Sequence, residues 1–347
     1  MKNRMLKQKF NHSRKSFLDN DSKFKFNWLD MADECMLLLD SNVATRLVST
    51  LKKKYHTNEV IAKIIGNNMS IYRLKENTPI RVKTLKKILD CLNLSYTSYD
   101  KNVHYHSDKS VYTTRFPIVF DKVESAILIA AFMSDGNNQS EHPFYCNTDF
   151  LGDKILHAVQ TFFPSIPHEI RDEKLRFHPL LSHLLLKLGV PIGDKILLNP
   201  KIPEIVYKKK EYKVAYLTQI FDDEGHAPTT ASRKIVLGRS VSLNGLPKEF
   251  SSTLIYKKKL MFNSLPESIK YIVSKQPPNL LKGEYELLKE FGIKSSLRCR
   301  GITLYLDRIS ADWVVEIAGK KNISKFNKDI GFSHPDKVKK TKIYIGS

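Results

Sequence analysis

LIAAFMSDG at Leu128–Gly136 and LTQIFDDEG at Leu217–Gly225 align without a gap. Leucine, phenylalanine and a terminal glycine coincide, and a carboxylate stands directly before each glycine: Asp135 in the first stretch, Glu224 in the second. The apolar run predicts a helix in each case and the glycine predicts its end. An acid at a helix C-terminus is unfavourable on its own, because that end already carries partial negative charge. Asp222 and Asp223 stand opposite Met133 and Ser134, so Glu224 alone of the three acids is given a chemical role.

A second matched pair lies downstream. LGVPIGDK (188–195) and IGFSHPDK (330–337) each hold a hydrophobe, a glycine, a hydrophobe and four further residues ending in aspartate, and then a lysine, Lys195 or Lys337. Acid then lysine, twice in the same order, is the signature of one helix-and-sheet unit duplicated.

The chain around these motifs is basic. Its 347 residues carry 57 Lys and Arg against 36 Asp and Glu, a formal net charge of +21. Such an excess favours a polyanionic partner and says nothing of fold. The longest apolar run, AILIAAFM at 126–133, is far short of the ~20 residues a bilayer span needs, so no membrane partner is expected. MKNRMLKQKFNHSRK lacks the apolar core of a secretory signal, and Cys35, Cys91, Cys146 and Cys299 form no CxxC pair. Both features suit a cytoplasmic, nucleoid-associated protein in a reducing interior.

Five segments are expected. Residues 1–27 form a flexible basic arm, 28–98 a small all-α domain, and 99–122 a linker without clear period. Residues 123–212 and 213–347 form the two repeats, where helical and strand patterns alternate as in an α+β fold. FYCNTDF, RDEKLRFH, RKIVLGRSVS, SLRCRGITLYLD and ADWVVEIAG have strand character. Within 28–98, Ala62 and Gly66 suit a tight corner between two helices, and Ile71 and Leu74 give the second helix a core face. Ser70, Tyr72, Arg73 and Lys75 are left to face outward. This stretch resembles the helix-turn-helix of the phage repressor class, whose second helix enters the major groove.

The paired nonapeptides resemble the signature helices of the LAGLIDADG homing endonucleases, over about 123–340. GDKILLNPKIPEIV and FNKDIGFSHPDKVKK add flanking features of the archaeal and intein-associated branch. The resemblance implies duplicated αββαββα repeats forming a pseudo-twofold saddle, monomeric by internal duplication, on double-stranded DNA. It implies two helices packed side by side at the twofold axis, with Asp135 and Glu224 meeting at the minor groove. Two acidic helix ends brought together repel, a cost that makes sense when a cation lies between them. Mg²⁺, or another divalent ion such as Mn²⁺, suits oxygen ligands of this kind. Lys195 and Lys337 match basic residues near the scissile phosphates, with Lys201 in reserve.

Each repeat's sheet is expected to lie along the major groove. Arg298 and Arg300 share one strand face with Leu297 and Cys299 on the other, whereas Arg233 and Arg239 share a face with Ile235 and Leu237, so that strand's orientation stays open. Two departures stand out: Gln219 occupies a seam position where the family has a small residue, and His226–Ala227 follows Glu224 where a lysine sometimes stands. The terminal KIYIGS lacks the His-Asn of splicing chemistry, which speaks against an intein. A site-specific DNA endonuclease is the leading expectation. A non-cleaving transcriptional regulator on the same scaffold and an intron RNA maturase are the alternatives.

Overall fold

The computed structural model describes residues 24–66, 68–107, 112–139, 142–229, 231–243, 246, 258–305 and 308–346. The basic arm lies outside the described residues except at its end, where Phe24–Phe26 is a strand, β1. After it come β2 (Met36–Leu39), α1 (Ser41–Tyr55), α2 (Asn58–Ile65), α3 (Asn68–Lys75), β3 (Ile80–Arg81) and α4 (Val82–Leu92). β4 (Val103–Ser107), β5 (Tyr112–Arg115) and β6 (Ile118–Phe120) complete this first unit.

The expected all-α domain and its linker are therefore corrected. β3, β2, β4 and β5 form an antiparallel sheet in that order, and β6 pairs with β1. Val103, Tyr105 and Ser107 are buried while His104 and His106 are half-buried, a period of two. Tyr and Ser carry that inward face, so a reading of apolar residues alone takes the strand for an irregular segment.

The corner between α2 and α3 forms as the sequence predicts. Thr57 caps α2 by accepting from the Val60 amide at 3.3 Å, and Gly66 closes it at φ 84°, a left-handed conformation open to glycine. Ile71 and Leu74 are buried beneath α3.

The remainder begins with α5 (Glu124–Met133), β7 (Gly136–Asn137), β8 (Phe144–Tyr145), α6 (Gly152–Phe162), β9 (His168–Arg171), β10 (Lys174–Phe177) and α7 (Leu180–Lys187). Short helices α8 (Lys195–Leu198) and α9 (Glu204–Tyr207) lead to α10 (Lys210–Asp223), which starts before the expected boundary at 213. Next stand β11 (Gly225–His226), β12 (Lys234–Ser242), β13 (Lys258–Met261), α11 (Glu267–Ser274), α12 (Asn279–Glu290), β14 (Ser296–Tyr305), β15 (Arg308–Ala318), α13 (Lys320–Asp329) and α14 (Pro335–Gly346). RDEKLRFH is not one strand: Asp172 and Glu173, both at positive φ, turn it into the hairpin β9–β10.

The result is a mixed α+β architecture of small antiparallel sheets. One sheet runs β7-β8-β10-β9, another β11-β12-β15-β14-β13. α5 is apolar all round and buried from Ser125 through Met133 except at Ile127, as a helix enclosed by protein must be. It packs side by side with α10. The first unit docks on α7 and the loop before it, through the Lys187–Asp30 ion pair at 2.8 Å and His178 against Ser107 at 3.1 Å. Among the described residues, no helix is long and apolar enough to cross a membrane.

Candidate functional site

The paired helices α5 and α10 deliver their acids to one place. A tight exit follows each helix: a Cβ on Gly136 would lie 2.7 Å from the Ala131 carbonyl oxygen, and one on Gly225 2.5 Å from that of Phe221. Only glycine lets the chain double back so closely. Asp135 and Glu224 are thereby turned off the helix ends, where the charge of Asp135 adds to the surroundings of Glu224.

A lysine closes each helix end. Lys195 Nζ donates to the carbonyls of Phe132 at 3.4 Å, Ser134, and Gly136 at 2.7 Å. Lys337 Nζ donates to those of Phe221 at 3.0 Å and Asp222. Phe132 and Phe221 are equivalent in the gapless alignment of the two nonapeptides. Carbonyls that a helix end leaves without partners are thus satisfied by a cation that also opposes the end's negative charge. Burial lowers the pKa of both ammonium groups, Lys195 to about 8, although nearby carboxylates pull the other way.

Arg239 overturns one expectation. It is committed within the protein: its side chain is buried with Ile235 and Leu237, as their shared strand parity allows, and although it edges the cleft beside the helix ends its guanidinium is bound at their junction. Nη1 donates to the Met133 carbonyl and to Glu224 Oε1, both at 3.2 Å. Nε and Nη2 grip Glu284 at 2.8–3.2 Å, and the Tyr216 hydroxyl donates to the same carboxylate at 3.2 Å. Glu224 Oε2 lies 2.9 Å from Nη1 yet makes no well-aligned hydrogen bond. Burial raises the Glu224 carboxyl, and Arg239 offsets that only in part.

Asp223, given no role in the sequence, ties the seam together. It accepts from Ser134 at the end of α5, from Tyr145 on β8, and from Gln219 one turn back at 2.9 Å. Gln219 is accommodated because its amide has this partner. Burial, with the charge of Asp135 added, pushes Asp223 up to about 7 despite its three donors. Asp222 turns the other way and accepts from the amides of Ser333 and His334 at 2.9 and 3.0 Å, anchoring the segment that carries Lys337.

Of the other expected nucleic-acid contacts, Arg300 alone lines the cleft beside the helix ends. Ser70 is 6% exposed and belongs to the core, because α3 turns it inward beside Ile71. Tyr72, at 58%, Arg73 and Lys75 are exposed, with Met69 beside them, and Arg73 spends one donor on the Pro79 carbonyl at 3.2 Å. Arg233 is exposed just before β12. Arg298 is bound to Glu316 at 2.6 Å, whereas Arg300 is exposed at a bulge in β14. Arg300 joins Lys259, Lys195, Asn199, Glu224 and Asp312 around a cleft of about 510 Å³ beside the helix ends.

Among the described residues no group of three or more His, Cys, Asp or Glu side chains has the arrangement of a complete metal shell. A hard divalent cation that keeps several waters needs fewer protein oxygens than that. Two carboxylates at converging helix ends, one with a buried oxygen lacking a proper donor, match its chemistry. The chain matches no family model and no curated protein.

Proposed function

We propose that the chain is a LAGLIDADG-type endonuclease hydrolysing phosphodiester bonds of double-stranded DNA, with Asp135 and Glu224 holding divalent cation. The observation that carries this reading is the matched lysine at each helix end. Lys195 and Lys337 lie at the same place in two downstream motifs and reach equivalent carbonyls, Phe132 and Phe221, of two aligned helices. The element order supports it further. Both α5–α7 and α10–α13 read helix, two strands, helix, two strands, helix, once β13 and α11 are set aside as an insertion. Leaving out β13, both sheets put the fourth strand of the unit between the second and third. Two such units meeting at α5 and α10 are what a pseudo-twofold saddle requires, and their repeated order supports the reading.

A divalent cation, when bound, supplies positive charge to phosphate oxygens and lowers the pKa of water. The protein's own groups do the rest. Asp135 and Glu224 present oxygens, the lysines hold the helix ends that aim them, and Asp223 with Ser134 fixes the seam. With its donors spent on carbonyls, Lys195 acts here as a positioning residue. Arg300 and Lys259 line the neighbouring cleft as phosphate contacts, and Tyr72, Arg73 and Lys75 give a second DNA-binding surface on α3.

One observation favours a second reading. Arg239 already neutralises Glu224, which a non-cleaving DNA-binding regulator on the same scaffold would tolerate well. Incubation with a supercoiled library of genomic fragments and Mg²⁺ or Mn²⁺ separates the two. Cleavage by the wild type that disappears in Asp135→Asn supports the endonuclease. Sequence-specific retention of DNA without cleavage in either metal supports the regulator.

A further inference from the structure

We infer that Asp312 reads one base of the bound duplex: its carboxylate accepts from the exocyclic amino group of a cytosine in the major groove. The inference rests on the reading above that the cleft beside the helix ends takes double-stranded DNA, and it names one determinant of the sequence selected there.

Strand parity turns Asp312 toward the cleft. Along β15, Ile309, Ala311, Trp313, Val315 and Ile317 are buried on one face, whereas Ser310 and Asp312 are half-buried on the other. Asp312 pairs with Ser240 on β12 and with Gly301 on β14, and the glycine adds no side chain over the carboxylate. Asp312 and Ser240 line the cleft of about 510 Å³ together with Glu224 and Lys259. A duplex held at the paired acids therefore lies against this part of the sheet.

A carboxylate facing a polyanion is unfavourable unless a donor meets it. Phosphates bring no donor, so the partner is a base edge. The other acid on this face of β15, Glu316, is answered within the protein. Arg298 grips it at 2.6 and 3.2 Å, Lys234 adds a contact at 3.2 Å, and its side chain is only 8% exposed. Asp312 has one cation, Lys259 at 3.1 Å, and its side chain is 19% exposed. Glu316 is closed by its own cations, and Asp312 is open.

The hydrogen bonds fix what Asp312 can take. Ser240 Oγ donates to Oδ1 at 2.7 Å, while Thr303 Oγ1 and Lys259 Nζ donate to Oδ2 at 2.9 and 3.1 Å. An ionised carboxylate offers about four acceptor sites, so one remains on Oδ1. Both hydroxyls have spent their hydrogens on Asp312 and can only accept from a ligand. Lys259, on the edge strand, keeps two N–H groups for phosphate. In the major groove, adenine N6 lies between two acceptors, its own N7 and thymine O4, which would face these oxygens unfavourably. Cytosine N4 has an acceptor on one side only, guanine O6, and is the donor that a carboxylate suits.

Selection of bound duplexes from a randomised library by the full-length chain, without divalent cation so that bound DNA stays intact, tests the assignment. The wild type should select a site in which one position is cytosine. Asp312→Asn presents an amide that donates as well as accepts. At that position alone, cytosine should lose its advantage by about fivefold or more and adenine should gain, fivefold being the low end of one base contact's discrimination. Lys259→Met should weaken every sequence alike and leave the cytosine in place, and Glu316→Gln should leave all preferences as they are. Circular dichroism checks each fold. Asp312→Glu, which keeps the charge and moves it, is the second variant should the amide unfold, and it should lower the same preference. If no selected cytosine is released by the Asp312 substitutions, or if they weaken all duplexes equally, the inference falls and the endonuclease reading stands. A wild type that selects no sequence overturns both.

Discussion

Asp223 sits one residue before Glu224 and does a different job. Its charge is held between helices by Ser134, Tyr145 and Gln219, and burial raises it from 3.8 to about 7. A carboxyl raised in the fold binds its proton more tightly than in the unfolded chain, so stability falls as pH climbs from about 4 to about 7. Asp223→Asn keeps the geometry: the new amide can donate to Ser134, whose hydroxyl donates onward to Ala130 at 2.8 Å. The variant should melt about 2–4 °C higher than wild type at pH 8, and the gain should vanish near pH 4. Equal melting temperatures at pH 8 would show that the seam does not feel this charge. Asp223 is hard to foresee from sequence, because aligning the two halves compares each residue with its counterpart and never with the helix packed against it. Ser134 opposite a carboxylate is the available clue. Arg239 is closer to legible: it shares strand parity with Ile235 and Leu237, a pattern that by itself leaves the orientation open, since Arg233 has the same parity and is exposed.

At the scale of elements, helices and long strands are readable because their cores are aliphatic, as in α5 and β12. β4 is not, since its inward face includes Tyr105 and Ser107. That strand matters because it meets the segment entering α7. The Leu180 amide donates to His178 Nδ1 at 3.2 Å, so the ring's hydrogen sits on Nε2 and points to Ser107 Oγ at 3.1 Å. Protonating Nδ1 would break the bond at the start of α7, where helix charge is already positive. Burial, then His142 and His183, lower the His178 pKa from 6.5 to about 4. A depressed histidine contributes stability that is complete above about 6.5 and lost as pH falls toward 4, because the unfolded chain binds the extra proton. His178→Gln should flatten that loss, with melting temperatures followed from pH 7 to 4. An unchanged slope would show that this joint does not govern acid stability. The exits after the paired helices give a sharper packing test. Gly225→Ala puts a methyl 2.5 Å from the Phe221 carbonyl oxygen, and overpacking of this kind costs about 1–3 kcal/mol. A variant as stable as wild type in denaturant would mean that the turn relaxes freely.

For the whole molecule, the net charge of +21 and the placement of its exposed cations make separate predictions. Tyr72, Arg73 and Lys75 belong to the first unit, whereas Arg300 and Lys259 line the cleft beside the helix ends. A duplex bound by both surfaces releases counterions at both, so log affinity should fall steeply and linearly with log salt. A slope near zero would argue for a protein partner instead of a polyanion. The two surfaces can be weighed against each other by substitution, which leaves the fold whole. Deleting residues 1–98 instead would strip β4 of its partner β2 and α7 of the Asp30 that pairs with Lys187. Arg73→Ala with Lys75→Ala should lower the magnitude of the salt slope by about 2, one for each phosphate no longer neutralised. Arg300→Ala should lower it by about 1 in the same way. The decisive comparison is with Mn²⁺ binding. Substitutions on α3 lie in another unit and should leave Mn²⁺ affinity untouched, whereas Arg300→Ala removes a positive charge beside the acids and should tighten it modestly. If the α3 pair changes neither affinity nor slope, that helix is a packing element and the protein meets DNA through its paired-helix half alone.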